Sequence, residues 1–494
     1  MAYSQLDDLS TYEELSEDEI KQRYEALRAE KLEIIRLLRR GENITHAEAT
    51  RLTAEEVKIP AIYFLPKVHK DKDIVTGTFP GRPIQAACGG MLKSLDEFLA
   101  NTTSPLLHHI PGSLMDTTEL ITDLAELQDL PPTATLFSAD VCSLYPNIPN
   151  EEAIRHSTSL YSSKYHILLN HASKSNLLKP PSPTIFKKLL TLILEKNFFH
   201  FQDSRFFRQR KGTAMGCSMS VFIANAFMYA RTRRLVDKSS RPTDLLYFGR
   251  YIDDIIGVWT GPADKIEQIF TDYNVIDESI RLTYVIGGQT LEALDLLIFL
   301  STGRIGTRLF RKPTAGDQFV HWDSLHPFNL KISIPYAQLL RIKRNCSLPE
   351  DFEREADRLL SCFRDRGYPE IVLRRAYERA SAMNRSNLLI RRPKAPLDDA
   401  VTAVFDFDHE TDSKLRRLCQ QFYSDLLAQP AVADRAAVLG PLLPPRIRVA
   451  TRVARSLGSR LGPLFKRGPR PEGSLRAPPP SSRPPAPMNY FPYC

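Results

Sequence analysis

The sequence lacks any apolar run approaching the ~18 consecutive residues that a membrane-spanning helix needs. Its first residues, MAYSQLDDLSTYEELSEDE, are acidic, whereas a secretory signal begins with a basic stretch that leads into an apolar one. We therefore expect an intracellular protein with no membrane partner.

Paired cysteines are also missing, because the seven cysteines stand singly and no two of them form a CxxC pair. That spacing argues against a disulfide framework and against a zinc knuckle. We interpret the cysteines as reduced, buried, small apolar residues. The sequence shows no internal repeat either.

What the chain does have is length and an ordinary apolar content. It has 494 residues, of which 43% belong to the hydrophobic set and 25% are charged. This is enough for two to four packed units, so disorder throughout the chain is excluded.

Positive charge is concentrated at the C-terminal end. The formal net charge is +8, but residues 441–494 hold ten basic residues and one acid, a local +9 that leaves −1 for residues 1–440. The same segment holds 13 of the 36 prolines. This composition predicts a largely disordered basic tail that tethers nucleic acid regardless of its sequence.

The spacing of apolar residues predicts the main elements. Residues 12–40 contain no Gly or Pro and place apolar residues at helical intervals, which predicts one long amphipathic helix. Other expected elements are a buried strand over 135–141, a basic hairpin over 205–211, a helix from about Ser218, an apolar hairpin over 245–259 and amphipathic helices over 336–430.

Three aspartates lie at the ends of these apolar strands. Asp140 is near the end of the first strand, and Asp253 and Asp254 lie at the tip of the hairpin. Carboxylates among hydrophobic neighbours are costly to leave unpaired, so a cation is expected beside them. Oxygen ligands suit Mg²⁺ or Mn²⁺, and three carboxylates can hold the two ions of a phosphoryl transfer. The plain alternative is a polar β-turn and a strand-end cap, since acids are common in turns.

Further short motifs follow one another along the chain. They are YFLPKVHK (63–70), GRPI (81–84), SADVCSLYPNIP (138–149), Gln209 with GTAMG (212–216), Ala224-Asn225, RYIDD (250–254), ALDLLI (293–298), RKPT (311–314), SLHP (324–327) and RGYP (366–369). In this ordered series the chain resembles the reverse transcriptases of Penelope-like retroelements, over about residues 60–370.

The resemblance implies a role for each aspartate. Asp140 and Asp253 would be the paired metal ligands, and Asp254 would bond the metal shell or the primer terminus. All three are therefore expected to be catalytic and to hold two Mg²⁺ ions, or Mn²⁺ in their place.

The resemblance also implies a nucleotide pocket. Lys67 and Arg82 would grip the triphosphate, since a compact Lys charge and a forked Arg together neutralise the charge that builds on pyrophosphate. Tyr145 would lie under the sugar and clash with a 2′-hydroxyl, selecting deoxyribonucleotides; its alternative role is packing in the core. Gln209, Gly212, Met215 and Gly216 would line the nucleotide and template pocket.

Nucleic-acid contacts are expected around this pocket. The segment RFFRQRK (205–211) interleaves aromatic and basic residues, a mix suited to stacking on bases while following phosphates. An ordinary exposed hairpin with one apolar face has the same alternation. The expected contact residues are Arg205, Arg208, Arg210, Lys211, Tyr251 and His326.

The expected fold class is α+β: a right-hand polymerase with fingers, a palm of antiparallel sheet backed by helices, and a helical thumb. The predicted domains are an N-terminal helical extension (1–58), fingers (59–132), a palm (133–318) with a fingers insertion at about 151–210, a helical thumb (319–440) and the basic tail (441–494).

The predicted activity is RNA-directed DNA synthesis, with an RNA template, a DNA primer and dNTPs as partners and the nucleus as the location. Two alternatives stay open: an RNA-templated RNA polymerase or terminal transferase, and a catalytically retired protein that only binds nucleic acid. About 60 residues precede YFLPK, and no GIY-YIG nuclease motif follows RGYP. The resemblance therefore implies a nuclease-lacking or truncated member of the family.

Overall fold

The chain folds into layers of helices and strands, as a computed structural model shows. The structure describes residues 5–53, 58–67, 77, 79–87, 89–202, 205–237, 240–276, 279–312, 316, 318–391, 400–406, 412–429 and 446–452. The strands are β1 (Tyr12–Leu15), β2 (Ala61–Pro66), β3 (Gly81–Ala86), β4 (Thr135–Val141), β5 (Phe198–Phe201), β6 (Arg205–Gln209), β7 (Leu245–Tyr251), β8 (Asp254–Trp259), β9 (Leu282–Gly288), β10 (Thr290–Ala293), β11 (Leu296–Ser301), β12 (Arg304–Leu309), β13 (Ala400–Asp406) and β14 (Arg446–Arg452).

The helices alternate with these strands. They are α1 (Glu17–Arg40), α2 (His46–Thr53), α3 (Lys93–Leu107), α4 (Thr117–Glu126), α5 (Leu144–Asn147), α6 (Asn150–Ser163), α7 (Tyr165–Lys174), α8 (Pro183–Glu195), α9 (Ser220–Val236), α10 (Ala263–Ile276), α11 (Phe328–Asn345), α12 (Pro349–Asp365), α13 (Glu370–Ser381), α14 (Arg385–Leu389) and α15 (Asp412–Ala428). None of the helices in the described ranges has the length and apolar composition that crossing a membrane requires.

The chain divides into two compact units. The first comprises Met1–Phe319 and Pro335–Arg392, and the second comprises Val320–Ile334 and Pro393–Cys494. Within the second unit β13 and β14 pair in parallel. A strand at β13 departs from the helical pattern expected over 336–430, because its sequence AVTAVFD is rich in β-branched residues that favour strands. Most of the predicted basic tail lies outside the described residues.

A four-stranded antiparallel sheet forms the centre of the first unit, in the order β7-β8-β4-β9. Successive side chains of a strand point to opposite faces. Phe137 and Ile255 therefore join one core with helices α9 and α10, whereas Leu136 and Ile256 join a second core with α4 and the sheet β10-β11-β12. An antiparallel sheet packed against helices confirms the predicted α+β fold class. The four strands fall within residues 133–318, the segment predicted to be the palm, and this sheet is called the palm below.

The second sheet of this unit has the order β1-β6-β5-β2-β3. Its edge strand β1 shows that the helix predicted over 12–40 was placed too early. The helix begins at Glu17, because Ser16 and Glu19 form a capping box that ends the preceding segment. Residues Tyr12–Leu15 pair instead with β6, from Tyr12↔Gln209 to Leu15↔Phe206.

Helix α11 is fixed to the three-stranded sheet β10-β11-β12 through a half-buried carboxylate. Asp295, between β10 and β11, accepts hydrogen bonds from Thr117 Oγ1 at 2.7 Å, Arg341 Nη2 at 2.8 Å and Asn345 Nδ2 at 3.0 Å. Burial alone would raise the pKa of Asp295, but the hydrogen bonds from Thr117 and Arg341 lower it. The part of α11 that belongs to the first unit is therefore held against the turn between β10 and β11.

Candidate active site

The strand register brings the three predicted aspartates to one edge of the palm. Ala139 of β4 pairs with Ile255 of β8, so the next step of the two antiparallel strands places Asp140 beside Asp254. Tyr251 pairs with Asp254, which leaves a loop of only two residues that ends in Asp253. The apolar hairpin expected from the sequence is present, with both acids at its tip.

A cavity of about 950 Å³ opens over this edge, a volume at the upper end of the usual range for ligand pockets. Eight of the predicted site residues line it: Lys67, Arg82, Asp140, Tyr145, Met215, Gly216, Asp253 and Asp254. These residues come from positions far apart in the sequence, so the fold assembles one site that contains both acids and cations.

The acids of this site repel one another and are partly removed from water. Burial, then the charges of Asp253 and Asp140, raise the pKa of Asp254 to about 6, against the opposing effect of Lys312. Burial, then Asp140, also raise the pKa of Asp253, while Arg82 counteracts this. The site therefore holds negative charge at an energetic cost that a bound cation would remove.

The donor chemistry of the site fits magnesium. Among the described residues no three Asp, Glu, His or Cys side chains form a closed group able to hold an ion unaided. Mg²⁺ seldom uses such an all-protein cage and instead combines one or two carboxylates with waters and substrate phosphates. Aspartates beside a wide cavity that also contains Lys67 and Arg82 match that mode of binding.

The repulsion among the acids predicts a gain in stability when one of them is neutralised. Because the folded-state pKa of Asp254, about 6, lies above the ordinary value of 3.8, this group's contribution to stability declines as the pH rises through that interval. We expect Asp254→Asn to raise the melting temperature of the metal-free protein by about 2–4 °C at pH 7.5, and by less at pH 5.

Thermal unfolding in EDTA at the two pH values measures this effect. Asp357→Asn is the matched control, since Asp357 is an exposed aspartate of α12 and its neutralisation leaves the cavity unchanged. An Asp254→Asn protein that melts at or below the wild-type temperature at pH 7.5 would show that the charge of Asp254 is not destabilising.

Tyr145 lies in the wall of the cavity, on the short helix α5. Ser143, just before that helix, has a left-handed backbone with φ 55°, and the carbonyl of Tyr145 accepts a hydrogen bond from Thr213 N at 2.9 Å. Burial, then the charge of Asp253, raise the pKa of Tyr145 to about 12. The side chain is half-buried and packs on the core, so its backbone is fixed while it borders the cavity.

Two residues predicted for the nucleotide pocket lie behind its wall. Gln209 is 5% exposed; its Oε1 accepts from Asn197 Nδ2 at 2.9 Å, and its Nε2 donates to the Lys211 carbonyl at 3.0 Å. Gly212 packs against the backbone of Pro146, with its N–H donating to the carbonyl of Ile148 at 2.9 Å. Both residues support the loop that carries Met215 rather than lining the cavity.

The basic hairpin 205–211 is covered by acids of the N-terminal strand. Arg205 makes two hydrogen bonds to Glu14, at 2.7 and 2.8 Å, and Arg208 lies 3.4 Å from Glu13. Phe207 is 1% exposed and belongs to the core. This arrangement is that of an ordinary hairpin with one apolar face, the alternative to a nucleic-acid surface.

The other predicted contact residues are spread over the chain. The Arg210 N–H donates to the carbonyl of Thr11 at 2.8 Å, and its side chain is exposed, while Lys211 is half-buried. Tyr251 ends β7 and packs on the second core. His326 belongs to the second unit, where its Nδ1 lies 3.1 Å from Ser324 Oγ.

The cavity is also lined by residues to which no sequence motif gave a role. Lys312 lines the cavity, and its charge lowers the pKa of Asp254. The motif RKPT contains Lys312 but does not show that it lies near Asp254. Gln5, Asp8, Thr11 and Tyr12 line the cavity as well. No sequence pattern pointed to them, because Tyr12 was expected at the start of the long helix and the other three residues precede it.

The comparisons with known proteins are of two kinds. A sequence model of the animal helix-turn-helix domain matches residues 318–377, which include α11, α12 and the first part of α13. No curated protein matches the sequence.

Solved polymerase structures align at low identity. Telomerase from Candida albicans, in complex with a TWJ fragment of telomeric RNA, aligns at 11% identity over 64% of this chain and 57% of that one, with a TM-score of 0.44. Apo telomerase from Candida tropicalis aligns at 11% identity over 65% and 58% of the two chains, with a TM-score of 0.40. The BmCPV RNA-dependent RNA polymerase aligns at 12% over 71% and 30%, with a TM-score of 0.37.

In each of these alignments the chain spans less than two thirds of the length of the structure it matches. Identities and TM-scores this low do not extend any activity to this chain.

Proposed function

We propose that the chain is a template-directed nucleotidyltransferase and, within that class, an RNA-directed DNA polymerase of a Penelope-like retroelement. One observation carries the proposal: a single cavity of about 950 Å³ contains Asp140, Asp253 and Asp254 at its palm edge together with Lys67 and Arg82. Acids that attract divalent ions and cations that match phosphates are both needed where a triphosphate reacts.

The aspartates supply the negative charge that would hold the ions. Two Mg²⁺ ions, or Mn²⁺ in their place, would lower the pKa of the primer 3′-hydroxyl and neutralise charge on the triphosphate. Asp140 and Asp253 are the proposed ligands, and Asp254 the second acid of the hairpin. Because the pKa of Asp254 in the metal-free site is about 6, we propose that ion binding weakens as the pH falls below this value.

Lys67 and Arg82 are positioned to bind the triphosphate. They lie at the end of the β2–β3 hairpin where the chain passes from β2 to β3. There Leu65 pairs with Arg82, and the Lys67 N–H donates to the carbonyl of Pro80 at 2.9 Å. Two cations held by one hairpin can offset the charge that develops on the departing pyrophosphate.

We propose an RNA template and a DNA primer as the macromolecular partners and the nucleus as the location. The exposed basic side chains of α13, Arg374, Arg375 and Arg379, are candidates for phosphate contacts along a duplex. The helix-turn-helix match over residues 318–377 supports a nucleic-acid role for this segment.

Primer extension tests the proposal and separates it from its alternatives. Purified protein receives a DNA primer on an RNA or a DNA template, with dNTPs or rNTPs. We expect dNTP incorporation on the RNA template. Incorporation of rNTPs in preference to dNTPs would favour an RNA polymerase, and binding without any incorporation would favour a retired nucleic-acid-binding protein.

Sugar selection is expected to depend on Tyr145. Removing the ring in Tyr145→Ala takes away the surface that would clash with a 2′-hydroxyl, so we expect the preference for dNTPs over rNTPs to fall by about tenfold or more. The ratio of kcat/KM for dCTP and rCTP on one template measures the change.

Tyr145→Phe is the matched control for this experiment, because it keeps the ring and removes only the hydroxyl. We expect it to retain the wild-type preference. An unchanged ratio in Tyr145→Ala would assign Tyr145 to packing alone.

A further inference from the structure

Arg250 is a buried cation beside the active-site turn, and the mechanism above does not use it. Its side chain is 1% exposed, and burial lowers the pKa of the guanidinium to about 10. An enclosed guanidinium is costly unless hydrogen bonds satisfy it. Arg250 Nη1 donates to the carbonyl of Ile252 at 2.7 Å and to Asn225 Oδ1 at 3.0 Å, so these partners are amide oxygens.

The turn that receives this hydrogen bond is conformationally unfavourable. Ile252 has φ 57°, whereas Asp253, the other loop residue, is not left-handed. A positive φ at the first loop residue alone is the pattern of a type II′ turn, in which glycine normally occupies that position. A β-branched residue there costs about 1–3 kcal/mol, so other contacts must hold the turn in place.

Asn225 connects this turn to the helix behind the sheet. It is 4% exposed on α9, and its Oδ1 accepts from Ser113 Oγ at 3.0 Å as well as from Arg250. Its Nδ2 donates to the carbonyl of Val221 at 3.0 Å, which fixes the orientation of the amide. The backbone of Arg250 is held too, since its N–H donates to the Gly112 carbonyl at 2.7 Å.

We propose that Arg250 and Asn225 are positioning residues that hold Ile252 in its left-handed conformation and thereby direct the Asp253 carboxylate toward the metal site. Asp253 follows Ile252 directly in the chain. The φ and ψ angles of Ile252 therefore set both the direction of the Ile252 carbonyl and the position from which the Asp253 side chain extends. Neither Arg250 nor Asn225 lines the cavity, so neither touches a reacting atom. That the Asp253 carboxylate binds a metal ion rests on the proposed function.

A double-mutant cycle with Ile252 tests this role. Arg250→Lys keeps the charge but loses the forked donors, and Ile252→Gly removes the steric reason why the turn needs support. The probe is Mn²⁺ alone, titrated into the full-length protein and followed by electron paramagnetic resonance. We expect Arg250→Lys to weaken Mn²⁺ affinity by about tenfold or more.

In the Ile252→Gly background we expect the same Arg250→Lys change to alter Mn²⁺ affinity by no more than about twofold. An equal loss in both backgrounds, or a lower melting temperature with unchanged Mn²⁺ affinity, would overturn the proposal. Should Arg250→Lys not fold, Asn225→Ala replaces it in the same cycle, because it removes the Oδ1 acceptor and leaves Arg250 in place.

Primer extension by the same wild-type protein separates the two proposals. A protein that shows the expected Mn²⁺ coupling but extends no primer would refute the polymerase and leave the positioning role standing. A protein that extends primers while Mn²⁺ affinity is the same in all variants would refute the positioning role alone.

Discussion

Primer extension by the Asp253→Asn protein is expected to fall by about 10³-fold or more relative to wild type. The substitution keeps the shape of the side chain and removes its charge. Asp253 lies in the same cavity as Asp140 and Arg82, and burial, then the charge of Asp140, raise its pKa. An amide at this position attracts a divalent ion far less than a carboxylate does. The substitution should therefore lower the rate of the phosphoryl-transfer step, which the ions assist.

This loss can be distinguished from unfolding. Because burial and the neighbouring charge disfavour the ionised form of Asp253, the neutral Asn variant is expected to melt no lower than wild type. Single-turnover extension with saturating dNTP, together with a thermal melt, measures both quantities. Asp357→Asn again serves as the control at an exposed site. Extension at the wild-type rate by Asp253→Asn would refute the proposed catalytic site.

The sequence predicted the parts of the site that depend on local pattern. The hairpin of β7 and β8 is marked by two apolar β-rich runs that meet at Asp253, and β4 by an apolar run that reaches Asp140. Strands of this kind form wherever they are buried on both faces, as Ile255 and Ile256 are in two different cores. The α+β class was expected from the resemblance, with which these patterns agree.

Other parts of the site depend on long-range pairing and could not be predicted from the sequence. The segment YEEL has helix-forming residues, yet it becomes a strand because Glu14 can pair with Arg205 at the open edge of β6. The ion pairs of the basic hairpin could not be predicted either, because its acidic partners are about 190 residues away in the sequence. Tertiary pairing of this kind overrides local propensity.

Gly216→Ala is expected to damage the site through the backbone rather than through any charge. Gly216 has φ +122°, a conformation that residues with a Cβ rarely adopt, and a Cβ placed there would lie 2.2 Å from the carbonyl oxygen of Gln85. Two hydrogen bonds keep Gln85 from moving away from the added Cβ. Its N–H donates to the Met215 carbonyl at 2.9 Å, and its Nε2 donates to Asn197 Oδ1 at 2.7 Å.

The contact joins two walls of the cavity. Gln85 lies on β3, the strand that also carries Arg82, and Gly216 lies between Met215 and helix α9. Separating the loop of Met215 and Gly216 from β3 therefore shifts Arg82, the proposed triphosphate-binding residue, relative to the nucleotide pocket. We expect primer extension to fall by about 10²-fold or more, since misplacement by about 1 Å has that effect, and stability to fall by about 2–4 kcal/mol.

Gly288→Ala is the matched control, because Gly288 also has a positive φ, +61°, but a Cβ there would meet no atom within 4 Å. It should cost only the backbone preference, about 1 kcal/mol, and leave extension unchanged. Chemical denaturation and primer extension of the two variants separate strain from steric conflict. Equal losses of activity in both would mean that the close approach of Gly216 to β3 has no part in shaping the site.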